Sequence, residues 1–386
     1  MPARIWLPLA ALALGIGSGI AFGQVDPKPA EAKPVEPKID TEGVSFDTAD
    51  GVTIQGTLYA PIFDEKTRIT AAKDAANAPV VILLHSYMAD PNKGDWDGLA
   101  KTLAARGFHV LRFDFRGHGK STVINEKVFW ANRYANSAYF PKLASKKPLP
   151  NKLDSGEFKN AVQNYLPVLV NDIVAARVFL DKKNDQGTLS TSSVYLIGAT
   201  DAAANGMLYL TAEETRPQKV TEFEAKRLTD LPAPQNAFSF EPRTSCGKDI
   251  AAAIWLSPKR PSPYSEQIFK DWAKVFPDLR DFNPVYCIQG DGDADSTKVS
   301  RSIVDGMLVA KPSSKTINEL KFTGSVQVSK TKAVGVDLLG KQLSTEKLIL
   351  DYLQKIEGDR KVVTKTNNRN FNDAPYVNLG LFGLNK

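Results

Sequence analysis

Residues Pro79-Val80-Val81-Ile82-Leu83-Leu84 form a run with no polar side chain. A strand with one wet face alternates apolar and polar residues, so an unbroken run predicts a strand covered on both faces. Further strands are predicted at 108–113, 194–197, 250–256 and 285–289. Helical spacing falls between them. It occurs at 95–106 (Trp96, Leu99, Leu103, Ala104), 172–180 (Ile173, Ala176, Arg177, Leu180), 201–211 and 266–276. Two strands at 44–48 and 53–59 flank the turn Ala49-Asp50-Gly51. A last short strand begins at Lys321-Phe322, and an amphipathic helix spans 344–356. Strands and helices in alternation predict an α/β fold, a mainly parallel, doubly wound sheet with helices on both faces.

The ends and two interruptions stand outside that rhythm. Residues 1–23 read as a signal peptide: Arg4, an apolar stretch from Ile5 to Ile20, then Ala21-Phe22-Gly23 with small residues at the two peptidase positions. Cleavage before Gln24 implies an exported protein, periplasmic or extracellular. Membrane contact is expected only if this segment stays uncleaved, because nothing later in the chain is apolar enough to span a bilayer. Residues 24–43 are a Pro/Lys/Glu-rich linker. The folded domain is expected over 44–358, with insertions at about 122–165 and 212–249. The first contains Phe129, Trp130, Tyr134, Tyr139 and Phe140. A polar tail, 359–386, is expected to be partly ordered at best. The formal charge of +6 is spread along the chain. With no basic stripe interleaved with aromatics, nucleic-acid binding is not expected. Cys246 and Cys287 are expected to be free and buried, although export would permit a disulfide.

The chain has three histidines, His85, His109 and His118, and none follows residue 118. The segment Asp114-Phe115-Arg116-Gly117-His118-Gly119-Lys120-Ser121 resembles the D-x-R-G-x-G-x-S loop of α/β-hydrolases. Leu83-Leu84-His85-Ser86 is similar to that family's "LLHG" strand end. Gly94-Asp95-Trp96 and Leu103-Ala104-Ala105-Arg106-Gly107 resemble the helix after it. The resemblance runs over about 45–357. It implies the α/β-hydrolase fold, of the esterase- and peptidase-like kind without a large cap.

The resemblance also implies where catalysis would sit. The family's nucleophile elbow is G-x-S-x-G, a sharp strand-to-helix turn needing small neighbours. Here Gly198-Ala199-Thr200-Asp201-Ala202 takes its place, so Thr200 occupies the nucleophile position. Gly290-Asp291-Gly292-Asp293 puts Asp293 at the acid position. Lys332-Ala333-Val334-Gly335-Val336-Asp337-Leu338-Leu339 matches the base segment, with Val334 where the histidine belongs. A valine accepts no proton, and an unactivated threonine hydroxyl is a very poor nucleophile. Asp201 and Ser86 alter the oxyanion region, where a carboxylate opposes developing negative charge.

The leading expectation is therefore an exported α/β-hydrolase-fold protein without hydrolytic activity, serving in binding or scaffolding of an unidentified small molecule or protein. An active envelope esterase or peptidase is the alternative, with His85 or His118 as replacement base in a possible pocket. A purely structural, envelope-tethered domain is a third reading. No cofactor and no metal site are expected. The aromatic insertion is expected either to cover the old site or to plug it.

Overall fold

In a computed structural model, residues 38–161, 165–219, 244–308, 322–340, 343–360 and 363–384 are described. The predicted linker up to residue 37, the signal segment and residues 220–243 of the second insertion lie outside them. Eight strands form one sheet: β1 (Thr41–Asp47), β2 (Thr53–Tyr59), β3 (Val80–Leu84), β4 (His109–Phe113), β5 (Val194–Ala199), β6 (Ile250–Leu256), β7 (Val285–Gly290) and β8 (Gly324–Val328). Their order is β1-β2-β4-β3-β5-β6-β7-β8. The β1/β2 and β2/β4 pairs are antiparallel, and every pair from β4/β3 to β7/β8 is parallel. The last strand starts slightly later than Lys321-Phe322.

The apolar runs do what their composition requires. Val80–Leu84 is buried at all five positions, as are β5 and β6 at all of theirs. The side chains divide between two clusters, one on each face of the sheet. Ile82 and Leu196 belong to one, and Val81 and Ile197 to the other. Helix α1 (Trp96–Ala104) starts where Asp95 accepts from Gly98 N–H, and it turns Trp96, Leu99, Ala100 and Leu103 inward. A side-chain acceptor there satisfies one donor that the helix itself leaves unpaired. The other long helices named here are α2 (Val170–Asp185), α3 (Ala202–Glu213), α4 (Glu266–Val275), α5 (Ala294–Leu308) and α6 (Thr345–Asp359). Helix α3 is buried along its whole length. It lies so close to β6 that a Cβ on Gly206 would collide with the Trp255 ring.

Arginine–carboxylate clusters fix the helices beneath the sheet. Arg116, fully buried, donates to Asp172 on α2 (2.8 Å), to Asp50 (2.7 and 3.0 Å) and to the Tyr165 hydroxyl (2.7 Å). A second cluster joins Arg177, Arg216 and Arg369 to Asp181, Glu213 and Asp249.

The polar tail differs from its expectation. Residues 363–384 run along the domain and are anchored in it. Arg369 is fully buried and donates to Asp249 at 2.8 Å. Val377 N–H reaches Asn171, and the Trp272 indole donates to the Phe382 carbonyl. Val377, Leu379, Phe382 and Leu384 are buried. The fold thus extends from Thr41 to Leu384 instead of ending near 358. Cys246 and Cys287 are both buried and free.

Candidate functional site

β5 ends at Ala199 and α3 begins at Ala202, so Thr200 and Asp201 make the whole turn. Thr200 sits at φ +51°, a left-handed backbone unusual for a β-branched residue. A side chain placed here is held out at the carboxyl edge of the sheet, as a nucleophile elbow requires. The elbow is pinned from β6 and the loop after it: Thr200 N–H donates to Leu256 O, and Lys259 N–H donates to Thr200 O. Strain of this kind persists only where surroundings over-determine it.

The base segment meets the elbow. Gly335, at φ +59°, lies against Thr200 so closely that a Cβ there would overlap the Thr200 methyl. Val334, half-buried, precedes it in extended backbone. The acid loop joins the same edge. Gly290 packs under the carbonyls of Thr331 and Ala333, and Gly292 packs against Lys332. Asp293 is buried; its Oδ1 accepts from Ser296 N–H at 3.1 Å, and its Oδ2 has no hydrogen-bond partner. Sequence positions 200, 293 and 334 therefore lie on three adjoining segments of one edge.

Asp201 stands at the N-cap of α3, but its side chain makes no capping bond and is buried. Its side chain turns back to the loop after β3. Oδ2 accepts from the Tyr87 backbone N–H at 2.9 Å, while Oδ1 accepts from the Ser86 hydroxyl and from the Thr200 hydroxyl, the latter at 2.8 Å. Thr200 therefore spends its proton on a carboxylate next door and caps nothing. A backbone N–H from the loop after β3 is one of the two donors from which this fold builds an oxyanion hole. Here a resident carboxylate oxygen takes it. Tyr87 was absent from the residues singled out in the sequence, although its place directly after His85-Ser86 marks it as the donor.

The histidines serve as structure. His85 Nε2 accepts from Phe115 N–H at 3.0 Å, which leaves Nδ1 to donate to Ser86 O at 2.9 Å. Both ring nitrogens are thus committed. Burial, reinforced by the neighbouring His118, pushes the His85 pKa down to about 3. His118 packs edge-on against His85 and Tyr87, and burial lowers its pKa as well. His85 thus braces the loops after β3 and β4, while His118 Nε2 is buried without a hydrogen-bond partner. The insertion aromatics Phe129, Trp130, Phe140, Phe158 and Tyr165 pack on one another, and Phe158 packs under Gly117. The group that takes the Tyr87 N–H is the Asp201 carboxylate.

A family model described as "alpha/beta hydrolase fold" matches residues 79–188. The match runs from β3 through α2 and stops short of the elbow. No curated protein matches the sequence. Among solved structures, a Pyrococcus furiosus esterase is 13% identical, covering 82% of this chain and 91% of its own, with a TM-score of 0.40. A dienelactone hydrolase from Anabaena variabilis is 12% identical over 82% of this chain and 96% of its own, TM-score 0.41. Est1E from Butyrivibrio proteoclasticus, with ferulic acid bound, is 13% identical over 81% and 97%, TM-score 0.43. Overlaps this loose add no weight. The matched segment, the strand order and the elbow define an α/β-hydrolase-fold protein.

Proposed function

We propose that this protein is a non-hydrolytic member of the α/β-hydrolase superfamily, exported through residues 1–23, which keeps the carboxyl edge of the sheet as a binding site. The observation that supports this most is the Asp201 carboxylate on Tyr87 N–H. An oxyanion hole works by presenting unspent donors to charge as it develops. Here the donor is spent on a charge already present, and a second negative charge beside it is repelled. The base is missing as well: Val334 holds its position, and His85, at the β3 end, has both nitrogens engaged.

One observation favours the active alternative. Thr200 Oγ1 donates to Asp201 Oδ1, so a carboxylate stands where a general base would. The Ser86 hydroxyl, however, shares the same oxygen. The two readings separate in one assay. Purified protein is expected to leave short-chain p-nitrophenyl esters unhydrolysed above background. Hydrolysis that saturates with substrate and disappears in Asp201→Asn would establish the alternative. Thr200→Ser with Val334→His is expected to remain inactive. Adding Asp201→Ala, which releases Tyr87 N–H, is expected to give the first measurable turnover. Native mature protein beginning at Gln24 by mass spectrometry would support export; retention of residues 1–23 would count against it.

A further inference from the structure

Three buried polar atoms at the carboxyl edge are unspent. Asp293 Oδ2, Ser257 Oγ and Ser296 Oγ are all buried and without a hydrogen-bond partner. Ser296 lies in the first turn of α5 and supplies the N–H that holds Asp293 Oδ1. Ser257 follows Leu256, whose carbonyl receives Thr200 N–H, and its own N–H donates to Ile288 O on the strand leading to Asp293. The three side chains thus come from the loop ends of β6 and β7, next to the elbow.

Most of the buried carboxylates elsewhere in the domain have a counter-charge. Asp50, Asp172, Asp181, Glu213 and Asp249 each meet a guanidinium. Among the described residues neither Asp201 nor Asp293 has a cation within ion-pair reach. A buried carboxylate with neither counter-charge nor full hydrogen bonding is costly. An N–H-bearing cation answers both needs at once through a charge-assisted hydrogen bond. An anion would be repelled, and a quaternary cation would bring no donor to Oδ2. The half-buried Ala333 and Val334 belong to the segment that packs on Gly290 and Gly292, just before Asp293.

We propose that Asp293, at a site whose base position carries valine, binds a small organic cation of the alkylammonium class. Its N–H groups are received by Asp293 Oδ2 and the Ser257 and Ser296 hydroxyls, and its alkyl part lies against Val334. The proposal rests on the non-hydrolytic reading for the absence of a histidine partner to Asp293, and it names the ligand class that this reading leaves open.

The test is calorimetric titration of the full-length protein with n-propylammonium chloride, tetramethylammonium chloride and 1-propanol. Propylammonium is expected to bind, with the other two about tenfold weaker or silent. Asp293→Asn is expected to weaken propylammonium by about tenfold, with an unchanged circular-dichroism spectrum. If that variant does not fold, Val334→Phe, which fills the place of the alkyl part, is expected to abolish the signal. Equal binding of tetramethylammonium, unaltered affinity in a folded Asp293→Asn, or no binding of propylammonium to the wild type would each overturn the proposal. The readout needs no ester. A protein that hydrolyses esters and still binds propylammonium loses the non-hydrolytic reading alone, and one that does neither loses only the ammonium site.

Discussion

Glu213 and Glu214 are neighbours at the end of α3, and their surroundings are opposite in kind. Glu213 receives Arg216 through two bonds of 2.8 and 2.7 Å, inside the cluster that Arg177 and Arg369 complete. Glu214, also buried, has only the Ser245 hydroxyl at 2.9 Å, and its Oε1 has no partner. Asp201, at the other end of the same helix, belongs with Glu214: its three donors are two hydroxyls and a backbone N–H. The guanidinium-paired region ties elements together across the chain, with Arg177 on α2, Glu213 on α3 and Arg369 in the tail. The neutral-donor region lies at helix ends, where the carboxylate settles a local arrangement. Burial alone therefore does not say what a charged residue contributes; the charge of its partner does.

Removing a carboxylate from each region tests this distinction, and the largest effect belongs to Asp181. It faces Arg177, Arg216 and Arg369 and also accepts from Thr191. Burial works against its charge, yet the three guanidiniums prevail and hold its pKa well below the usual range. Asp181→Ala leaves buried guanidinium charge uncompensated and is expected to cost about 3–5 kcal/mol in urea unfolding. Asp201→Asn strands no cation. It keeps an acceptor for two of its three donors and is expected to cost about 1–2 kcal/mol. Equal costs would erase the distinction between the regions.

The next effect is a pH dependence. Burial, opposed by the Ser245 hydrogen bond, raises the Glu214 pKa to about 7 from its ordinary 4.5. A carboxyl group raised in the folded state favours folding while protonated. Its contribution is complete below pH 4.5 and is lost as pH rises to about 7. His85 has the reverse sign. Its folded pKa of about 3, against 6.5, means that stability is lost as pH falls from 6.5. Over the shared window the two slopes oppose each other, so the wild-type curve alone hides both. Glu214→Gln separates them. Relative to wild type, this variant is expected to gain up to about 1.4 kcal/mol per pH unit between 4.5 and 7, and nothing further above. A pH-independent difference would place Glu214 in the same class as an exposed glutamate.

Much of this was legible in the sequence, because the signals were local. Apolar runs without alternation marked the central strands, and Gly198-x-Thr200 marked the elbow, since a strand must turn into a helix within two residues there. The destination of the Asp201 side chain was not legible. Its partners, Ser86 and Tyr87, lie more than a hundred residues away, and only the closed sheet brings β3 beside β5. The tail was misread for a related reason. Arg369 and Asn-rich surroundings look solvated until Asp181, Asp185 and Asp249 are assembled to receive them. Polar composition predicts exposure only where no buried partner waits, and partners at long sequence separation leave no local trace.

The smallest expected effect concerns the contact between the base segment and the elbow. Gly335 is left-handed at φ +59°, and a Cβ there would overlap Thr200 Cγ2. Gly335→Ala thus carries two penalties, about 1 kcal/mol of backbone strain and about 1 kcal/mol or more of overlap. Thr200→Ser removes the methyl that the new Cβ meets and relieves a β-branched residue at φ +51°, so alone it is expected to be close to neutral. In the double variant the overlap disappears while the backbone strain remains. The double-mutant cycle should therefore show a favourable coupling of about 1 kcal/mol by urea unfolding. Additive costs would mean that the 333–338 segment does not rest on the elbow. The proposed mapping of Val334 onto the base position would then fall, and with it the proposal that this site lacks hydrolytic activity.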